Sequence, residues 1–392
     1  MASFLDTAAL DLAELAKCSR CGRCQAVCPV YLATSDERLV ARGKLALIEA
    51  ARGGGLEPSA AFVDTISRCL LCGACRGFCA RGVATDQLIQ QVRAAAASAL
   101  GLPRTYQLLF AGLASPRLLG AISRAGGLLQ GLSSVIPGAP LSLLPWVGKY
   151  ARHLRLATRP YLSARPPQGQ GRTGLFVGCG ANYLWPEAAA DTARLLEAAG
   201  VAVSAPAAQV CCGLPAASAG DAASAGELAR RNVAAFEGFE SVVCLCASCA
   251  YRLRALPGMP PVRLFSEVLE AAPAPPPRRR RLRVAYHAPC HARFEGAGPG
   301  ALLARLAALP GVELLAAEEG CCGSGGLFGL THPKLSQAIL RRRLASLLAL
   351  RPEAIVTDCT GCRMQLAAGL AQLERAVPVL HPAQVLARAD LC

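Results

Sequence analysis

The sequence predicts a mixed chain, α+β and α/β: a helical cysteine-bearing module, a helical connector, and two repeated small α/β units with short parallel sheets. Three observations predict it. A cysteine run of spacing C-x2-C-x2-C-x3-C occurs twice near the start. The second half repeats one order of strand, helix, Cys-Cys-Gly doublet, helix, strand and C-x-x-C. Between these parts, Gly101–Gln170 contains no cysteine.

The first run is Cys18, Cys21, Cys24 and Cys28, closed by Pro29; the second is Cys69, Cys72, Cys75 and Cys79. Bacterial ferredoxins hold cubane iron–sulfur clusters with this spacing. Three thiolates so spaced sit on a tight loop at one corner of a cube. The fourth leaves on the following helix and ligates the other cluster. The expected sets are therefore Cys18, Cys21, Cys24 with Cys79, and Cys69, Cys72, Cys75 with Cys28, giving two [4Fe-4S] clusters. Residues 4–17 read as an amphipathic helix delivering Cys18, and Arg42–Arg52 as a helix ended by Gly53-Gly54-Gly55. Helices are also expected over 61–68 and Asp86–Ala99, so that residues 1–98 form one module.

Composition narrows the class. A chain of 392 residues holds two or three domains, and 53% hydrophobic with 17% charged residues excludes a disordered chain. Twenty cysteines in C-x-x-C and Cys-Cys clusters point to metal ligation in a reducing compartment rather than to secreted disulfides. Met1–Leu15 has three acids and no basic n-region, so a cytoplasmic protein is expected, with a peripheral contact at the inner membrane face allowed. The net charge is +15, but only Arg278–Arg281 with Arg283 is a dense basic run, and aromatics are 5%. Stacking platforms for bases are thus scarce, and no nucleic acid is expected. An acidic protein partner or an anionic membrane surface explains the excess better.

Residues 99–172 read as a helical connector and linker. Leu102–Leu132 has helical periodicity broken by Pro103, Pro116 and glycines, and Ala125–Gly148 carries no charge. A spanning helix needs about 20 mainly apolar residues in one run. Glycines and prolines interrupt this one, so packing on a partner or lying at a membrane surface is expected. A Pro/Gly/Gln-rich linker closes the segment at Arg165–Gly171.

The repeat occupies 173–272 and 282–392, joined by the Pro-rich, then basic, Pro273–Arg281. Gly174–Cys179 and Leu282–Cys290 are short apolar strands running into a cysteine. Helices Glu187–Ala199 and Leu302–Ala308 follow, then Cys211-Cys212-Gly213 and Cys321-Cys322-Gly323. Helices Gly226–Phe236 and Lys334–Leu348 lead to strands ending in C-x-x-C, Ser241–Cys249 and Ala354–Cys362. Val262–Leu269 and Val379–Leu386 are matching tails. Strand–helix alternation predicts parallel sheets, whose ligand sites lie beyond the carboxyl ends of the strands. Five thiols per unit would converge there: Cys179, Cys211, Cys212, Cys246 and Cys249, then Cys290, Cys321, Cys322, Cys359 and Cys362. Five ligands exceed the four of tetrahedral zinc, which favours one or two further iron–sulfur clusters, with zinc in one unit still open. Cys244 and Cys392 fall outside every set and read as spare thiols. His287 and His291 flank Cys290 and could bond a cluster sulfur, ligate it or orient the loop. His153 carries no such reading.

Two ferredoxin-type runs followed by two Cys-Cys-Gly domains resemble the iron–sulfur subunits of glycolate oxidase and D-lactate dehydrogenase complexes, over essentially the whole chain. The same order appears in the anaerobic glycerol-3-phosphate dehydrogenase small subunit and in the heterodisulfide reductase catalytic subunit. The stretch Cys321–Pro333 is similar to the glycolate oxidase subunit's signature, and His332 and His381 resemble family positions. Two departures stand out. Cys79 is followed by Ala80 rather than proline, and both units keep a full C-x-x-C that glycolate oxidase subunits often lose. By resemblance to heterodisulfide reductase, each five-cysteine set would hold a non-cubane [4Fe-4S] cluster.

No Walker A motif occurs, and no G-x-G-x-x-G joins a strand to a helix, so flavin or nicotinamide is not expected on this chain. Hydride donors need a flavin or similar cofactor before single electrons enter clusters. The resemblance then implies an oxidoreductase subunit with FAD on a partner dehydrogenase, passing electrons to a downstream quinone, cytochrome or electron-transfer protein. Alternatives are a heterodisulfide-reductase-like subunit cleaving a disulfide, and a membrane-docked relay to quinone of the glycerol-3-phosphate type.

Overall fold

Apolar residues in the first hundred positions recur every three or four residues in short stretches, so the chain closes there as helices without a sheet. The computed structural model describes residues 5, 10–57, 59–133, 154–164, 171–268, 280–295 and 298–388. The first helices are α1 (Leu12–Ala16), α2 (Pro29–Thr34), α3 (Ala41–Arg52), α4 (Ala60–Ser67), α5 (Ala74–Gly77) and α6 (Thr85–Leu100). Ser59 caps α4 by accepting from the Phe62 N–H, and Gly101 ends α6 at φ +75°. Ile48, Phe62, Ile66, Ile89 and Val92 form the core of this module. Pro103 and Pro116 divide the connector into α7 (Arg104–Leu113) and α8 (Pro116–Ser133). Phe110 of α7 is buried against Ala216, Ala217, Ala225 and Leu327 of the later units. Of the uncharged Ala125–Gly148 stretch, the part beyond Ser133 lies outside the described residues, as do Cys392, His153, residues 165–170 and 269–279. Among the described residues no helix is long and apolar enough to cross a membrane.

The second half holds two four-stranded, fully parallel sheets of identical order. The first comprises β1 (Thr173–Phe176), β2 (Val203–Ser204), β3 (Ser241–Cys244) and β4 (Val262–Leu264), arranged β2-β1-β3-β4. The second, β5 (Leu282–Tyr286), β6 (Val312–Leu315), β7 (Ala354–Val356) and β8 (Val379–Leu380), is arranged β6-β5-β7-β8. Phe176 pairs with Cys244 and Tyr286 with Val356 in register. Buried central strands of this kind read as continuous Val/Leu/Ile runs. The edge strands β2 and β6 are not foreseen by the sequence pattern.

The central strands stop short of their cysteines. Cys246 and Cys359 instead cap helices Ala247–Arg254 and Thr360–Gln372. A strand would send residues i and i+3 to opposite faces, whereas a helical turn places them together. The C-x-x-C pairs therefore need the helix. Cys179 and Cys290 likewise lie in the first turn of Gly178–Leu184 and Cys290–Glu295. The tails correspond in detail: Glu267 accepts from the Leu264 N–H at 2.9 Å, and Gln384 from the His381 N–H at 3.0 Å.

The two sheets share their packing. Leu175, Val177 and Val243 meet Val284, Tyr286 and Val356 in one core. On the other face Cys211, Cys212, Cys246 and Cys249 lie in a single apolar cluster with Cys322, Cys359 and Cys362. Contacts are exchanged between the units: His381 donates from Nε2 to the Leu245 carbonyl at 2.9 Å, and Ser266 donates to Asp358 at 2.8 Å.

Candidate metal centres

Each ferredoxin-type loop turns at a glycine directly after its second cysteine, Gly22 at φ +83° and Gly73 at φ +72°. This left-handed backbone suits glycine and turns each loop sharply between its second and third cysteines. Cys18 and Cys79 pack on the same small core, Leu45, Val83 and Leu88, although they come from different runs. Cys24 is pushed above the usual thiol range by burial, with Cys18 nearby, while Cys21 is exposed. Cys28, Cys69, Cys72 and Cys75 together line one small cavity. Burial pushes the Cys75 thiol far up, followed by the charges of Cys69, Asp86 and Cys28.

Four soft sulfurs gathered away from water repel one another as thiolates unless a multivalent cation joins them. The donor set thus fits an iron–sulfur cluster or zinc. One cation lines the cavity, Lys44, and a second, Arg93, holds the backbone of the Cys69 loop. Lys44, 1% exposed, donates to the Leu39 carbonyl, and burial lowers its pKa against the pull of Cys69 and Cys28. Arg93 donates from Nη2 to the carbonyls of Ser67 and Cys69, both at 2.7 Å.

In the first repeated unit Cys179 Sγ lies 3.9 Å from Cys211 Sγ, and Cys212 is held down by hydrogen bonds with Cys211 and Cys249. In the second, Cys322 Sγ lies 3.3 Å from Cys362 Sγ. Cys322 is held below the usual range by Cys321, Cys362 and His287, against burial. The two C-x-x-C loops meet: Cys246 Sγ is 3.8 Å from Cys359 Sγ. Thr360 donates its hydroxyl to Cys246 at 3.2 Å, and Ser248 Oγ lies 3.2 Å from Cys359. A hydroxyl residue inside each C-x-x-C is visible in the sequence, but its reach to the other unit is not.

The second unit also faces the ferredoxin-type module. Cys290 and Cys321 share with Cys72 the lining of a cavity of about 230 Å³. Burial and the Cys322 charge push Cys290 up to about 12. Along this path the thiol groups run from the first unit, through Cys246 and Cys359, to the second unit, then through Cys290 and Cys72 to the module.

The histidines separate by role. His287, Cys322 and Cys362 place one ligand atom each within 4.8 Å of one another. Arg343 donates from Nε to His287 Nδ1 at 2.9 Å. Burial keeps His287 neutral by lowering its pKa, so the ring proton sits on Nε2 and the ring is a donor toward the Cys322 thiolate. His291 bonds Ser248 at 2.9 Å and the Leu71 carbonyl at 3.3 Å, and stacks on Tyr251, which ties all three parts together. His381 is a structural link, and His332 bonds Ser67 at 2.9 Å. Cys244 is fully buried and donates to the Cys246 carbonyl.

Comparison with known proteins agrees with this architecture. Residues 14–83 match the 4Fe-4S dicluster domain, and residues 173–254 and 284–367 each match the cysteine-rich domain. The chain belongs to the iron–sulfur proteins that join a dicluster domain to two cysteine-rich domains, and its cofactors are multiple iron–sulfur clusters. More particularly, it is 27% identical over 421 aligned positions to the probable glycolate oxidase iron-sulfur subunit of Bacillus subtilis, covering 92% of this chain and 91% of that one. It is 27% identical to lactate utilization protein A of Oceanobacillus iheyensis, over 55% of this chain and 96% of that protein. A fumarate reductase (CoM/CoB) polypeptide of Methanothermobacter marburgensis is 29% identical over 50% of this chain, which spans 41% of that longer protein.

Proposed function

We propose that the chain is the iron–sulfur electron-transfer subunit of an FAD-linked 2-hydroxy-acid dehydrogenase acting on D-lactate or glycolate. The observation that carries this reading is similarity along the full length to a glycolate oxidase iron-sulfur subunit, combined with thiol groups arranged as one contiguous path. Cys18, Cys21, Cys24 and Cys79 would hold one [4Fe-4S] cluster, and Cys69, Cys72, Cys75 and Cys28 the other. The five-cysteine sets of the two repeated units would hold the remainder. When bound, such clusters supply one-electron carriers that split the electron pair of a reduced flavin. The chain's own residues set the surroundings of the carriers: Lys44 and Arg93 place positive charge at the Cys69 loop, and Arg343 fixes His287 as a donor to Cys322. The exposed Cys21 loop is where a flavoprotein partner would gain access.

Anaerobic purification from the native cell tests this. A co-purifying flavoprotein, with flavin and clusters both bleached by D-lactate or glycolate, is the expected outcome. Absence of both sinks the reading. Heterodisulfide chemistry is the second reading, favoured by two complete five-cysteine sets whose C-x-x-C loops touch. It predicts that reduced clusters are reoxidised by a disulfide and untouched by either acid.

A further inference from the structure

One chain of polar contacts crosses all three parts of the molecule, and the buried His291 stands at its centre. We propose that His291 is the bridge by which an electron crosses between the ferredoxin-type module and the repeated units. The inference rests on the reading of the chain as an electron-transfer subunit and assigns the residue that joins its carriers.

The contacts run from sulfur to sulfur. On one side His291 Nε2 lies 3.3 Å from the Leu71 carbonyl, and the Leu71 N–H donates to Cys69 Sγ at 3.4 Å. On the other, His291 Nδ1 lies 2.9 Å from Ser248 Oγ, which is 3.2 Å from Cys359 Sγ. A carbonyl only accepts, so Nε2 carries the ring proton. Burial keeps the ring neutral, and Nδ1 then accepts the Ser248 hydroxyl proton. Ser248 faces Cys359 with its lone pairs. The backbone adds two more sulfurs, because His291 follows Cys290 and Leu71 precedes Cys72. The imidazole thus connects Cys290 and Cys359 of one ligand set with Cys69 and Cys72 of the other. Electron transfer through bonded and hydrogen-bonded atoms weakens less with distance than transfer across empty space. The direct route from Cys290 to Cys72 leads instead through the cavity of about 230 Å³ that both line.

Two comparisons within the chain set this connection apart from ordinary packing. Arg20 and Leu71 hold the same place in their loops, one residue before the second cysteine, and both take left-handed backbone, at φ +56° and +53°. That conformation is costly for a residue with a side chain. In the first loop the carbonyl at this place accepts from Arg42 of the same module at 3.2 Å; in the second it accepts from His291, a residue of another domain. The repeat differs as well. The position after the first cysteine is Gly180 in the first unit and His291 in the second. A Cβ at Gly180 would lie 2.7 Å from the Thr360 side chain, so the first unit has no room for a ring there. Only the unit that faces the module carries the imidazole. Tyr251 stacks on it with 4.4 Å between ring centroids and 2° between planes, which fixes the ring's orientation.

In the step itself one electron leaves one ligand set and arrives at the other. No bond is made or broken and no proton moves.

The full chain, loaded anaerobically with iron and sulfide, is given single electrons by a pulse of methyl viologen radical. These enter at the module, whose Cys21 is exposed, whereas Cys322, Cys359 and Cys362 are buried. Freeze-quench EPR follows their arrival in the second unit. His291→Leu and Ser248→Ala should each lose the fast intramolecular phase, and Ser248→Thr, which restores the hydroxyl, should recover it. Iron content should stay at the wild-type value. Midpoint potentials of the same samples separate a slower crossing from a changed driving force. A purely structural role would lower the urea midpoint and leave the fast phase untouched; that result overturns the bridge and leaves the electron-transfer reading standing. If His291→Leu fails to hold its iron, the Ser248 pair decides alone. If the loaded wild-type chain never passes an electron from the module to the second unit, the bridge and the reading fall together.

Discussion

The two repeated units share strand order, doublet and C-x-x-C, yet their sulfurs sit in different surroundings. In the first unit, neutral amides hold the frame. Gln209 accepts from the N–H groups of Val177 and Gly178 at 2.8 and 3.2 Å, and Asn232 bonds Val210 N–H and the Cys211 carbonyl. In the second, the corresponding helix presents Arg343, which reaches the Glu318 carbonyl and His287, and a buried Tyr286–Asp358 hydrogen bond of 2.8 Å lies under the sulfurs. One scaffold has thus been given two electrostatic settings. A cationic, donor-rich setting stabilises the more negative reduced state of a bound cluster, so the second unit should be the more easily reduced.

The sharpest way to break this comparison is to remove one sulfur at a time. Cys322→Ala should abolish the second site and lower iron by about 4 per chain from about 16, and Cys212→Ala should do the same for the first site alone. Cys359→Ala should disturb both, because its sulfur is 3.8 Å from Cys246. Iron analysis with EPR decides this. Wild-type protein carrying only about 8 irons would refute clusters in the repeated units.

Next in size is the frame itself. Asn232→Ala strands the Val210 N–H and the Cys211 carbonyl, and Arg343→Met strips the Glu318 carbonyl and His287 of their donor. Each should lower stability in urea by roughly 1–3 kcal/mol. Equal losses in spectral features of both units after either change would contradict separate settings.

A finer measurement addresses potential. His287→Leu removes the donor to Cys322 and should lower the midpoint potential of the second site by on the order of 50 mV, one-electron couples shifting about 59 mV per tenfold. The first site should stay put. An anaerobic redox titration read by EPR gives both values, and a shift in the first site alone would reverse the assignment.

The smallest effect concerns matched acids at the strand entries. Glu240 and Glu353 donate their N–H groups to Arg172 and Arg283 carbonyls, both at 2.8 Å. The Glu353 carboxylate also accepts the Arg283 N–H at 3.0 Å, and this bond, then Arg280, holds its pKa below the usual value. A depressed folded pKa stabilises above the ordinary carboxylate value, and that contribution is lost as pH falls through the depressed value. Glu353→Gln should therefore flatten the acid limb of the urea midpoint slightly. An unchanged limb would remove the carboxylate from the account.

Much of the site was legible because ligand spacing is local. Cys18–Cys28 and Cys69–Cys79 announce their loops by spacing, and the doublets and C-x-x-C pairs announce the repeat. Two things were hidden. Val203–Ser204 is too short to show any alternation, so β2 leaves no mark on the pattern. Arg343 lies 56 positions from His287, and nothing along the chain marks the pair.

The sequence by itself determined the class of chemistry, since soft thiolates three residues apart on a turn of backbone gather around a metal whatever surrounds them. It also determined the parallel α/β repeat, through apolar strands alternating with helices. Only the tertiary structure decided which thiols neighbour which. Cys246 meets Cys359 across 113 positions, and Cys290 and Cys72 share a cavity across the seam between module and repeat. It decided as well which sulfur receives a histidine donor and where Lys44 and Arg93 place their charges. The reason is physical: ligation depends on short-range geometry, whereas the field at a cluster depends on burial and on groups brought near by packing, which a linear order does not contain.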